Sequence, residues 1–192
     1  MGCRHAEITR YPIACAGIIR PVDSGGTLGK SDGTLTTIAN YLKLLETAFL
    51  VSGLELFSRG FVRKRGSSPK LLLWNNALVN SLSTRSFEES IADANWWGRL
   101  VENAVGGILL GNLSTADYTV TYWREGDREV DFVIAHGTRL WGIEVKSGRG
   151  GKTSGLEAFR SRYPEARLLV VGGNGIPLEE FFSTPPASWL NS

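Results

Sequence analysis

Along this chain, apolar residues recur at every third or fourth position in some stretches and at every second in others, and the switch between the two periods predicts its elements. Over "TLTTIANYLKLLETAFLV" the residues Leu35, Ile38, Leu42, Leu45 and Phe49 fall on one stripe. That spacing predicts an amphipathic helix with Thr34 at its N-cap. Two short apolar runs follow, "LELF" at 54–57 and "KLLLW" at 70–74, and a helix followed by two short strands is the order of a winged helix. From about residue 86, "WWGRLVENAVGGILL" sets Val101, Val105, Ile108 and Leu109 on a second helical stripe. Three strand-like runs come next, at 118–123, 129–135 and 139–146, then a helical "SGLEAFRSRY" and the β-branched run "RLLVV" at 167–171. The resulting order, α-β-β-β-α-β, predicts an α/β fold. A helix joining the last two strands makes them parallel through a right-handed crossover, giving a mixed sheet flanked by helices.

Residues 1–33, which end in "DSGGTLGKSDG", hold no period and read as an irregular segment or linker. The chain therefore divides into that segment, a winged-helix-like unit at 34–85 and an α/β unit at 86–192.

Composition narrows the classes. With 192 residues, 42% hydrophobic and 21% charged, the chain is globular in texture and long enough for a sizeable core. A net charge of +2 permits a nucleic-acid partner without requiring one. Its two cysteines, Cys3 and Cys15, have only His5 nearby and form no C-x-x-C, which argues against a structural zinc site. No apolar run approaches the roughly 18 residues of a membrane span, and "YPIACAGII" is too short for a secretory signal. The expected location is the cytoplasm, with no membrane partner.

The charge is unevenly spread. Arg59, Arg63, Lys64, Arg65 and Lys70 stand in a stretch that has no acidic residue from 58 to 70. Such a one-sided loop suits contact with nucleic-acid phosphates, DNA above all, while a merely solvated basic loop has the same composition.

"GRGGKTSG" imitates a phosphate-binding loop. Counting back from Gly151, however, the position that needs the first glycine is Lys146. A bulky side chain there obstructs the amides that must curl around phosphate, so nucleotide binding is not expected.

The hairpin before it carries the chemistry. Alternation places Glu129 and Asp131 on one face of a strand, and Glu144 and Lys146 on one face of the next. With Gly137-Thr138 as a two-residue turn, His136 pairs with Arg139 and Asp131 lies opposite Glu144. With His136-Gly137 as the turn, the two carboxylates become diagonal neighbours. Either register gathers the charges. Asp131 sits inside "VDFVI", where a charge is costly without a partner. One solution is a salt-bridge cluster with Lys146. The other is a hard divalent cation such as Mg²⁺ or Mn²⁺, held by Asp131 and Glu144, with Lys146 orienting water or stabilising charge at phosphorus. Glu102, at the margin of the second helical stripe, is either a further ligand or an ordinary boundary glutamate.

An Asp followed about a dozen residues later by Glu-x-Lys, "EVD" and "IEVKSG", resembles the PD-(D/E)XK nuclease superfamily. Together with "SPKLLLWNNAL", "WWGRLVENAVGGILL" and "YWREGDREVDFVI", the pattern over about 34–183 is similar to the uncharacterised domain at the C-terminal end of many bacterial and archaeal AAA-type ATPases. That resemblance implies a winged-helix-like segment before a PD-(D/E)XK nuclease-like core. It implies Asp131, Glu144 and Lys146 as the motif residues, with Glu102 as the helical acid. It also implies an AAA-type ATPase partner, because the ATP-binding module is absent from this sequence. Metal-dependent phosphodiester hydrolysis on DNA is one expectation; a non-catalytic DNA- or protein-binding regulatory module is the other.

Overall fold

The computed structural model describes residues 32–59, 69–148 and 154–191, with side chains from residue 37 onward. Helix α1 (Asp32–Thr47) begins two residues before the expected cap, so Thr34 lies within its first turn. The stripe expected to face a core is open: Ile38 is 58% exposed, Leu45 40% and Phe49 72%. Phe49 lies past the helix end at φ 54°, its ring edge-on to Trp74 at 5.9 Å. Periodicity reports that a helix has an apolar side and says nothing of what lies against it.

Strand β1 (Val51–Leu54) pairs antiparallel with β2 (Lys70–Leu73), Val51 opposite Leu73 and Leu54 opposite Lys70. The first of these strands lies three residues ahead of the expected run at 54–57. Helices α2 (Asn76–Leu82) and α3 (Phe87–Ala92) follow. The start of α3 is fixed by a capping box: the Ser86 hydroxyl accepts from the Glu89 amide and the Glu89 carboxylate from the Ser86 amide.

The expected α-β-β-β-α-β order is then found. Helix α4 (Ala94–Asn112) leads into β3 (Thr119–Glu125), β4 (Arg128–His136) and β5 (Arg139–Lys146), and α5 (Ser154–Arg162) into β6 (Arg167–Gly172). The sheet order is β3-β4-β5-β6. The first three strands are antiparallel, and β6 runs parallel to β5 from Trp141↔Arg167 to Lys146↔Gly172. Of the two hairpin registers, the one with His136 opposite Arg139 is adopted, and Gly137 takes the positive φ (58°) that the two-residue turn demands. Two short helices, α6 (Leu178–Ser183) and α7 (Pro186–Asn191), close the described chain.

Both faces of this sheet are covered. Phe132, Ile134, Trp141 and Ile143 join Val105 and Leu109 of α4, Leu72 of β2, Phe181 and Leu190 in one cluster. Val130, Val133 and Leu140 join Leu156 and Phe159 of α5 in the other. Burial on two sides explains why β4 and β5 read as apolar runs rather than a clean alternation.

Val130 and Phe132 are two apart yet belong to opposite clusters, and a bulge is the reason. Between Thr121↔Val133 and Trp123↔Val130, β4 advances three residues while β3 advances two. Tyr122, facing this irregularity, turns its main chain outward: its amide donates to the Glu55 carbonyl at 3.1 Å, and its carbonyl accepts from Phe57 at 2.6 Å. That explains the shifted first strand, because residues 55–57 have left β1 to lie along the outer edge of β3.

Candidate functional site

The bulge places Asp131 where β4 and β5 part. Pairing of these strands runs from His136↔Arg139 to Phe132↔Ile143 and stops. Were the ladder to continue, the Val145 amide would face the Val130 carbonyl. It donates instead to Asp131 Oδ2 at 2.8 Å. The carboxylate thus replaces the missing ladder acceptor, and a charge-assisted bond fixes its orientation. Helix α5 enters at the same place: a Cβ on Gly155 would lie 1.9 Å from the Glu129 carbonyl oxygen.

A cleft of about 330 Å³ opens beside this fork, and Glu102 from α4, Asp131 from β4, and Glu144 and Lys146 from β5 all line it, with Arg99 and Ser147 at its margin. The four residues singled out from the sequence are therefore brought together. A larger cavity of about 560 Å³ lies between α2, α3, α4 and α6, walled by Phe87, Trp97, Leu100 and Phe182 among others; it lacks the convergent acids, and the chemistry favours the smaller cleft.

Lys70 was grouped with the basic loop on sequence, and the structure places it elsewhere. It shares the inward side of β2 with Leu72, and the residue is 7% exposed. Its Nζ lies 2.5 Å from Glu102 Oε1, 3.1 Å from Glu129 Oε1 and 3.5 Å from Asp131 Oδ1, with the Phe132 ring centroid at 5.5 Å. Its ammonium is turned to the interior and is not presented to a solvent-borne phosphate. The reason is elementary: a buried ammonium needs anions, and three are within reach.

The electrostatics follow from three carboxylates sharing one ammonium. Burial works against the Lys70 charge, but attraction by Glu102, Asp131 and Glu129 outweighs it and raises the lysine's pKa. Glu129 is also disfavoured by burial, and Lys70 and Arg124 overcome that to hold it below the usual range. Glu102 is pushed up to about 7, first by burial and then by Asp131 and Glu129, against the pull of Lys70. The shifts of Lys70 and Glu102 agree on one state: the lysine is charged, and among the carboxylates around it Glu102 is the one pushed toward its protonated form. Glu144 is likewise pushed up to about 7, by burial first and Asp131 second. Its Oε1 accepts from Lys146 Nζ at 2.8 Å, while Oε2 is buried without a hydrogen-bond partner among the described residues.

Of the remaining basic residues, Arg59 is exposed and paired with Glu165, in the turn between α5 and β6. Arg63, Lys64 and Arg65 lie outside the described residues. Among the described residues no group of three or more His, Cys, Asp or Glu side chains could hold a metal ion. The expected trio of Glu102, Asp131 and Glu144 is not assembled as a coordination site, because Glu102 is drawn to Lys70. Alternation sets Glu129 on the face of Asp131 but assigns it no role, and sequence reasoning missed the inward turn of Lys70 that binds the two. The signal for that turn was present, since alternation alone puts Lys70 on the side of Leu72 in an apolar strand.

Residues 97–185 match the family model described as Domain of unknown function (DUF4143). Residues 26–89 match a second, Domain of unknown function (DUF8612). No curated protein matches this chain. The solved structure titled "Crystal structure of protein VC1899 from Vibrio cholerae" aligns with 85% of this chain at 18% identity and a TM-score of 0.26. The chain spans 40% of that protein's length. No helix among the described residues is long and apolar enough to cross a membrane.

Proposed function

We propose that this chain is a nuclease-like module, a winged-helix-like segment ahead of a PD-(D/E)XK-type sheet, that hydrolyses phosphodiesters in DNA with a divalent metal and works alongside an AAA-type ATPase module. The observation that carries this reading is the convergence of Glu102, Asp131, Glu144 and Lys146 on one cleft. Asp131 and Glu144 fit Mg²⁺ or Mn²⁺ as a pair, since such ions prefer oxygen and retain several waters. The charge of Asp131 raises the pKa of Glu144, a repulsion that a divalent cation between them would relieve. Such an ion supplies polarisation of a phosphate oxygen and an acidified water.

The chain's own residues divide the remaining work. Asp131, held by the Val145 amide, presents its second oxygen in a fixed direction. Lys146, beside Glu144, offers its ammonium to the charge that grows on phosphorus. Arg59, with the basic stretch that follows it, supplies positive charge for the DNA backbone.

The test incubates the purified chain with supercoiled, linear and single-stranded DNA in the presence of Mg²⁺ or Mn²⁺, beside Asp131→Ala and Lys146→Ala. Cleavage that falls by about a hundredfold or more in each variant supports the assignment; cleavage that persists in both excludes this cleft. One observation favours a second reading, a non-catalytic DNA- or protein-binding regulatory module: the Lys70 ammonium already neutralises part of the acid set. Binding to DNA that weakens steeply with salt, without turnover, selects that reading.

A further inference from the structure

Lys70 belongs to the two-stranded sheet, yet its ammonium ends among carboxylates carried by α4 and β4. Its side chain is 5% exposed, so it is a resident of the cluster rather than a passing surface contact. A divalent ion recruited by the same acids would supply what Lys70 now supplies, positive charge amid the oxygens. Each carboxylate oxygen turned toward the ammonium is an oxygen withheld from an ion, and two cations brought close in a buried site repel.

Building on the metal-dependent reading above, we propose that Lys70 is an internal competitor for the cation of the cleft: it neutralises Glu102 and Asp131 in the resting protein and releases Asp131 when a divalent ion joins Asp131 and Glu144. Lys70 is then a positioning residue that acts through carboxylates. The link extends to the small sheet. Pairing with β1 fixes β2, and Asn103 of α4 bonds both backbone groups of Leu73 at 2.8 Å. Lys70 is therefore carried by a strand tied to the same helix that bears Glu102. A partner that shifts β2 would change the affinity of the cleft for cations without touching it.

Calorimetric titration of the full chain with Mn²⁺ tests this by comparing wild type, Lys70→Met and Lys70→Arg. Methionine keeps an unbranched apolar stem and removes the charge. Mn²⁺ affinity is expected to rise about ten- to a hundredfold in Lys70→Met, the scale on which residues that support ligands alter metal binding, and to stay at the wild-type level in Lys70→Arg. Lys70→Met leaves Glu102 and Asp131 without their shared cation while Glu129 keeps Arg124, so a second pair guards against loss of the fold: Lys70→Met/Glu102→Gln should bind more tightly than Glu102→Gln alone. Equal or weaker binding after removal of Lys70 in both pairs, with unchanged far-ultraviolet circular dichroism, overturns the competitor role. In that case a wild-type titration that disappears in Glu144→Gln leaves the metal-dependent reading standing. Absence of Mn²⁺ heat in every folded variant overturns both.

Discussion

Replacing Asn103 should unfasten the two-stranded sheet from α4. The residue is 1% exposed, and its amide acts as a third strand would. Oδ1 accepts from the Leu73 amide, and Nδ2 donates to the Leu73 carbonyl and to Asn76 Oδ1, each at 2.8 Å. At a net of about 1 kcal/mol per hydrogen bond, Asn103→Ala costs about 3 kcal/mol, of which the larger part is the orphaning of two main-chain groups of Leu73. Asn76→Ala removes one of those bonds and the bond from Asn76 Nδ2 to the Leu100 carbonyl, for about 1–2 kcal/mol. Asn103→Asp keeps the acceptor and loses both donors while adding charge beside Glu102, so it should be no milder than alanine. Urea unfolding followed by tryptophan fluorescence and circular dichroism measures these differences, with the midpoint shifting and the slope constant. A loss of less than about 1 kcal/mol in Asn103→Ala would show that β2 is held by apolar packing alone and refute the argument.

Two further outcomes follow from the geometry of the fork. Gly155→Ala puts a methyl group 1.9 Å from a main-chain oxygen of β4; α5 must shift, and a loss of about 3 kcal/mol or more is expected in thermal unfolding. A loss under about 1 kcal/mol would mean that α5 is free to move. The second concerns pH. Glu102 and Glu144 have pKa values of about 7 in the folded chain against an ordinary 4.5, so between these limits the folded state binds more protons than the unfolded state. Their contribution is complete below about 4.5 and is lost as pH rises through about 7, a fall of about 3 kcal/mol for Glu102 and less for Glu144, which lies nearer to solvent. Glu144→Gln should flatten that slope in unfolding curves taken across the window, and an unchanged slope would contradict the assignment.

What could be read from the residues depended on where the cause of each feature lay. The strands at 119–125, 128–136, 139–146 and 167–172 were legible because local apolar runs and a glycine turn mark them. The approach of Glu102 to the hairpin was legible too, since a wheel places it at the margin of a buried stripe. Lys70 was misplaced because its anions come from segments 32 to 61 residues away, and composition nearby tied it to its basic neighbours instead. The bulge opposite Tyr122 was invisible for a related reason: an extra residue in a strand is defined only against its partner. The open side of α1 shows the reverse limit, a correct period whose counterpart the period does not name.

The strip at 55–57 laid against Tyr122 has a bearing on association. A bare margin of β3 would offer unpaired amides and carbonyls to any extended chain, an invitation to aggregate. The chain spends its own backbone there. A truncation that begins after Phe57 should therefore gain self-adhesion, even though every residue of the four-stranded sheet would still be present.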